Sequence, residues 1–272
     1  MPPEGGDTES RKTTETFMSF QPSSEMVTAR FADGVLAIGL NRPDALNAFR
    51  PEMLHDLRAL LVEADGNHEV ACVVLEGAGR AFSAGVDLKV LQGIEPQAGK
   101  IGDVFDEPAR QAYLAIRHAR CPVIAKVHGA CFTGALEMAL HCDFILTTQD
   151  CKFGDTHAKF GLRPTWGMSQ TLAEAVGVRR AKELSFSARV FRGTEAVTLG
   201  VANHAFASKE ELDAATDELA AKIAANSRAA VAAMKDLYGV AQSGVGVEAG
   251  LEAEIGKTYP EITDTNERLA EF

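Results

Sequence analysis

From Met26 onward the apolar positions follow short, changing periods. "MVTARFADGVLAIGL" (26–40) alternates around Asp33-Gly34 and predicts two short strands joined by a tight hairpin turn. "RPDALNAF" leads into a helix over 51–65, where Met53, Leu54, Leu57, Leu60 and Leu61 recur at helical spacing and Pro51 suits the first turn. "VACVVLEG" (70–77) is an uninterrupted apolar run and predicts a buried strand. A second round follows: a helix near 106–120, a strand over 123–129, a helix carrying Glu137, and a strand over 144–148. Beyond about residue 170 the strand signal fades, and helices are predicted over 169–176, 178–187, 194–199, 209–226, 227–242 and 247–256.

Strands alternating with helices predict an α/β chain with right-handed crossovers and layered sheets, followed by a helical C-terminal part. Residues 1–25 are polar and rich in Gly, Pro, Ser and Thr, which predicts a disordered extension outside the fold. The organisation expected is therefore an extension over 1–25, an α/β core over 26–200 and a helical region over 201–272. "GVGVEAG" (244–250) superficially resembles a phosphate-binding loop, but it lies between predicted helices and follows no strand, so no dinucleotide site is expected there.

Composition adds limits rather than an activity. Hydrophobic residues make up 46% of the 272, enough for a substantial core, and a net charge of −11 argues against nucleic acid as the main partner. The five cysteines are odd in number and lack CxxC spacing, so neither a disulfide framework nor a zinc site is indicated. That usage points to a reducing, cytoplasmic compartment. No apolar run is long enough to span a bilayer, and no membrane partner is expected.

The candidate chemistry starts from "HGACFTGALEMALHCD" (128–143), where Glu137 is the sole carboxylate before Asp143. If a helix begins at Thr133-Gly134, Glu137 lies about one turn from an N-terminus with free N–H groups, in a setting where an unpaired charge is costly. Two further segments carry candidates. "GAGRAFSAGVDL" (77–88) ends a strand in small residues that allow close backbone approach, although a tight strand-to-helix turn explains it equally. "FGDTHAKFGLRPTWGMSQTL" (153–172) gathers Asp155, His157, Arg163 and the only tryptophan, Trp166, between Gly and Pro.

"AFSAGVDL", "HGACFTGALEMALHCD" and "FGDTHAKFGLRPTWG", in that order and with the opening "GLNRPDALNAF", resemble the enoyl-CoA hydratase/isomerase, or crotonase, family over roughly residues 26–265. The resemblance implies a spiral of ββα units with a C-terminal helical trimerisation region, and assembly as a homotrimer or a dimer of trimers. It implies an acyl-CoA thioester substrate and no metal or redox cofactor, coenzyme A being part of the substrate. By motif position the backbone N–H groups of Val86 and Gly134 would form an oxyanion hole, with Glu137 and His157 as catalytic groups. Ala45, Ser83, Ala84, Asp87, Leu88 and Trp166 would contact substrate.

One position departs from the pattern. The family's best-matching hydratases hold water between two glutamates; Glu137 matches the first, and the second falls at His157. Histidine can still hold water and exchange a proton near neutral pH, so hydration of a 2-enoyl-CoA is the leading expectation. Isomerisation is the closest rival, and a catalytically weak CoA-ester binder is a reading of another class. Asp155 is expected to cap the short helix that follows it. His128 and His141 are expected to be structural. Arg42 and Lys126 could meet CoA phosphates or sit in ion pairs, and the chain ends without a basic tail.

Overall fold

A computed structural model describes residues 20–270. The predicted hairpin is β1 (Val27–Ala32) and β2 (Val35–Leu40), and both turn residues take positive φ, Asp33 at 51° and Gly34 at 78°. Those values bring two strands into register with their right-handed twist. Then come α1 (Pro51–Gly66), β3 (Cys72–Gly77), the single turn α2 (Leu88–Leu91), α3 (Asp103–His118), β4 (Val123–Val127), β5 (Ala130–Phe132), α4 (Gly134–Leu140), β6 (Phe144–Thr148) and β7 (Lys152–Gly154). A 3-10 turn at His157–Phe160 leads to α5 (Met168–Val176), α6 (Val178–Ser187), β8 (Phe191–Arg192), α7 (Gly193–Leu199) and β9 (His204–Phe206). The remaining helices are α8 (Lys209–Ala225), α9 (Arg228–Gln242), α10 (Val247–Gly256) and α11 (Thr265–Leu269).

The main sheet runs β1-β2-β3-β4-β6-β9, with the first pair antiparallel and the others parallel; β5, β7 and β8 form a smaller sheet. The apolar runs of β3, β4 and β6 bury both faces of the sheet. Val73, Leu75, Val123, Ala125 and Val127 point to the larger core beneath α1 and α3, while Cys72, Val74, Ile124 and Leu146 meet Leu212 and Ala220 of α8. Helices on both faces of a parallel sheet explain why these strands read as continuous runs rather than alternations.

Two expectations change. β8 and β9 lie in the stretch where the strand signal fades, and strands of two and three residues are too short to show a period. Residues 20–25, read with the extension, are tied to the core. Phe20 is buried with its ring 5.5 Å from that of Phe31, and the Ser23 and Ser24 backbone N–H and hydroxyl groups donate to the Asp56 carboxylate. The predicted disorder of residues 1–19 lies outside the described residues. The segment 244–250 does lie between helices, α9 and α10.

Candidate active site

Helix α4 is small and apolar, "GALEMAL", and its residues from Gly134 to Ala139 are all buried, so it can pass through the core. Glu137 is 1% exposed. Its charge has specific partners: the backbone N–H groups of Trp166 and Met168 each donate to Oε1 at 3.1 Å. Gly167 between them takes φ 113°, a conformation that favours glycine and aims two nearby N–H groups at one oxygen. The indole of Trp166 is in turn held by Asp106 of α3, whose Oδ1 accepts from Nε1 at 3.1 Å and from the Thr165 hydroxyl at 2.7 Å.

The second oxygen, Oε2, faces His157 Nε2 at 3.7 Å, beyond hydrogen-bond reach. On the other side of the imidazole, Nδ1 lies 2.7 Å from Asp155 Oδ1, which also accepts the His157 backbone N–H at 3.2 Å. The N-cap of the 3-10 turn is Thr156, without a side-chain cap bond, rather than the expected Asp155; Asp155, one residue earlier, accepts the first N–H of the turn, and the same oxygen grips the ring. Burial pushes the Glu137 pKa up to about 7, against the opposing pull of His157 and of the Met168 and Trp166 N–H groups. Burial lowers that of His157, but the Asp155 hydrogen bond and the Glu137 and Asp155 charges outweigh it and raise it overall. The shifts of Glu137 and His157 are both upward, so each holds its proton more tightly than the free group.

Opposite this pair lie two free donors. Among the described residues neither the Val86 N–H nor the Gly134 N–H has a hydrogen-bond acceptor, although their neighbours do: Thr133 N–H donates to Gly154 O and Asp87 N–H to Phe49 O. The two backbones approach because glycines stand there. A Cβ on Gly85, at φ 95°, would lie 2.7 Å from Phe132 O, and one on Gly134 would lie 2.7 Å from the Trp166 ring. Unpaired N–H groups beside a helix N-terminus can stabilise an oxygen that gains negative charge.

Both donors, Glu137 and His157 open on one cavity of about 350 Å³. Its wall is mainly apolar, from Leu88, Leu91, Ile101, Phe132, Leu162 and Trp166, with Lys159 and Arg163 also on it. Seven of the ten residues singled out in the sequence line it: Ala84, Val86, Leu88, Gly134, Glu137, His157 and Trp166. Ala45, Ser83 and Asp87 do not line it. The Ser83 hydroxyl turns inward to accept from Gly85 N–H, Asp87 caps Lys89 N–H and pairs with Arg42, and Ala45 closes the turn Pro43–Ala45. Arg42 and Lys126 are both in ion pairs, the latter with Glu76 and Asp213. His128 and His141 contact the carbonyls of Gly79 and Trp166.

Sequence reasoning missed the backbone clamp on Glu137 and the part of Asp106 in fixing Trp166. The clamp has one local signal, a glycine between Trp166 and Met168; Asp106 has none, since it lies on a distant helix.

The family model described as enoyl-CoA hydratase/isomerase matches residues 30–268. Among curated proteins, a probable peroxisomal enoyl-CoA hydratase 1 of Arabidopsis thaliana is 33% identical over 82% of this chain and 78% of its own length. A peroxisomal Delta(3,5)-Delta(2,4)-dienoyl-CoA isomerase of the same plant is 32% identical over 84% and 85%. The solved enoyl-CoA hydratase of Bacillus anthracis superposes with a TM-score of 0.83 at 28% identity, covering 90% of this chain and 93% of that one. With a crotonase fold in agreement and a match over nearly all of its described length, this chain belongs to the enoyl-CoA hydratase/isomerase family.

Proposed function

We propose that this enzyme is an enoyl-CoA hydratase that adds water across the 2,3 double bond of a 2-enoyl-CoA thioester. The observation that carries the reading is the pairing of two proton-handling side chains, Glu137 and His157, 3.7 Å apart on the cavity that holds the two free N–H groups. A water at about 2.8 Å from each closes a triangle over that gap, the separation at which both can hydrogen-bond it. The thioester oxygen accepts from Val86 and Gly134. Glu137 removes a proton from the water as its oxygen bonds to C3. The displaced electron pair forms an enolate, whose oxygen the two donors stabilise at about 3–4 kcal/mol each. His157, as the imidazolium, gives its Nε2 proton to C2. Return of the proton from Glu137 to His157 restores the starting state, so one water is consumed and no electrons are lost.

The rival, isomerisation, draws on the same 3.7 Å gap: with no direct bond to His157, Glu137 could carry one proton between two carbons alone. Assay of wild-type enzyme and His157→Ala on 2-enoyl-CoA and 3-enoyl-CoA substrates, normalised to folded protein, separates the two. Hydration by the wild type with a loss of roughly 10²-fold or more in the variant is the expected result. Wild-type activity confined to the 3-enoyl substrate overturns the hydratase reading, and no turnover of either favours a CoA-ester binder.

Assembly as a trimer or dimer of trimers is part of the same proposal. α10 presents Val247, Leu251 and Ile255, four residues apart and 80%, 54% and 82% exposed, as one apolar stripe. Sedimentation equilibrium is expected to give a trimer or hexamer, and a stable monomer at micromolar concentration would refute it. All five cysteines are free thiols, which supports the cytoplasm as the compartment. Among the described residues no helix is long and apolar enough to cross a membrane.

A further inference from the structure

The hydratase mechanism needs its resting proton in one place. Glu137 must begin as the carboxylate to accept a proton, and His157 must begin as the imidazolium to give one. Burial alone favours the opposite distribution, because a neutral carboxylic acid beside a neutral imidazole avoids two buried charges. Something must tip the pair toward the charged form. The two N–H donors on Glu137 Oε1 act from one side. The structure holds a second device on the other side.

We propose that Asp155 is a positioning residue that keeps His157 in its imidazolium form, with Nδ1–H bound to Asp155 and Nε2–H aimed past Glu137 into the cavity. This rests on the hydratase reading for its purpose, but not for its geometry. Asp155 is 2% exposed and lowered in pKa: burial raises it, and the His157 ring and backbone hydrogen bonds, the His157 charge and the nearby Ser185 hydroxyl more than reverse that. A carboxylate has no proton to donate, so the 2.7 Å contact requires the proton on Nδ1. The second hydrogen bond, from the His157 backbone N–H to the same oxygen, ties ring and main chain together and leaves Nε2 one direction to face. A carboxylate at each end of the imidazole makes its positive charge cheap to hold.

Among the described residues no other charge competes at this ring. Asp155 and Glu137 are the charged groups that act on it. Lys159 and Arg163 share the cavity wall but are both exposed, and the charged residues of α6, which packs against the 3-10 turn, point outward: Arg179, Arg180, Lys182 and Glu183 are all exposed. Ser185 of α6 meets Asp155, not the imidazole. Histidine can therefore serve as the acid at this position, because Asp155 holds its proton in place.

Asp155→Asn is the direct test, since asparagine keeps an oxygen to accept both N–H groups while removing the charge. Two measurements on the folded wild type and variant are needed. The first is titration of the His157 ring by imidazole NMR without substrate: the variant is expected to lose its proton at a pH lower by one unit or more. An unchanged titration overturns the role of Asp155 whatever reaction the enzyme performs. The second is the pH profile of kcat/KM on crotonyl-CoA. Hydration needs the imidazolium, so its alkaline limb should move to lower pH, and the loss should grow between about pH 6 and about pH 8.5, by up to about tenfold for each unit of that shift. A uniform loss at every pH, with the NMR shift intact, retains the placement of the charge and overturns His157 as the acid. Should the asparagine variant not fold, Asp155→Glu serves: it restores the charge at altered reach, and must keep the wild-type alkaline limb while lowering kcat.

Discussion

Two buried charge clusters in this protein show what separates a structural charge from a working one. Lys126, on β4, lies on the face of the sheet covered by α8, and Glu76 and Asp213 both contact its ammonium, the latter at 2.8 Å. Burial lowers its pKa, but those two carboxylates reverse the effect, so the cation stays charged and fastens α8 to the sheet. Glu137 is as deeply buried, but only one of its oxygens is occupied. Among the described residues Oε2 has no hydrogen bond, and it looks across a cavity toward His157. A buried charge with every partner in place stabilises a fold; one left incomplete at a cavity can exchange a proton.

The largest expected effect sharpens that contrast at the incomplete cluster. Glu137→Gln keeps an oxygen for the Trp166 and Met168 N–H groups but cannot accept a proton, so turnover should fall roughly 10²–10⁴-fold with acyl-CoA binding within a few-fold. Near-wild-type turnover would end the assignment of Glu137.

The same variant carries a smaller, opposite effect on stability. The Glu137 pKa rises on folding from 4.5 to about 7. A group raised in this way contributes its full stability below the unfolded value and loses it as pH rises through the folded one. The carboxylate therefore weakens the fold above pH 7 by at most about 3 kcal/mol. Thermal melts are expected to show Glu137→Gln gaining on the wild type as pH rises from about 4.5 to about 7 and no further gain above that. A constant difference across the range would mean the carboxylate enters folded and unfolded states with one pKa.

The smallest effect belongs to the complete cluster. Lys126→Met leaves Glu76 without its cation, while Asp213 keeps Lys209 at 2.6 Å, and the two carboxylates are 30% and 36% exposed, so water replaces part of what is lost. A cost of about 1–3 kcal/mol follows, below the range for fully buried pairs. Denaturant unfolding should record it, while turnover per folded enzyme stays at the wild-type level. A specific loss of turnover would place Lys126 in the reaction and break the comparison.

Much of this could be read before folding. The hairpin at Asp33-Gly34, the helix from Pro51, the apolar strands and the start of α4 at Gly134 are written in residue types and their spacing, because each reports a local conformation or a buried face. A lone glutamate within small apolar residues marked the site for the same reason: its burial is improbable without a use. The strands β5, β7, β8 and β9 were not legible, since two or three residues cannot establish a period and their pairing depends on distant partners. The roles within 153–172 were also decided by tertiary structure. Every residue but proline carries a backbone N–H, so nothing in the letters says that those of Trp166 and Met168 bind Glu137 while those of Val86 and Gly134 remain free. That follows from which groups the packed chain leaves within reach of one another. Asp155 reads in sequence as a helix cap and becomes the anchor of an imidazole only because the fold turns the other face of that ring toward Glu137.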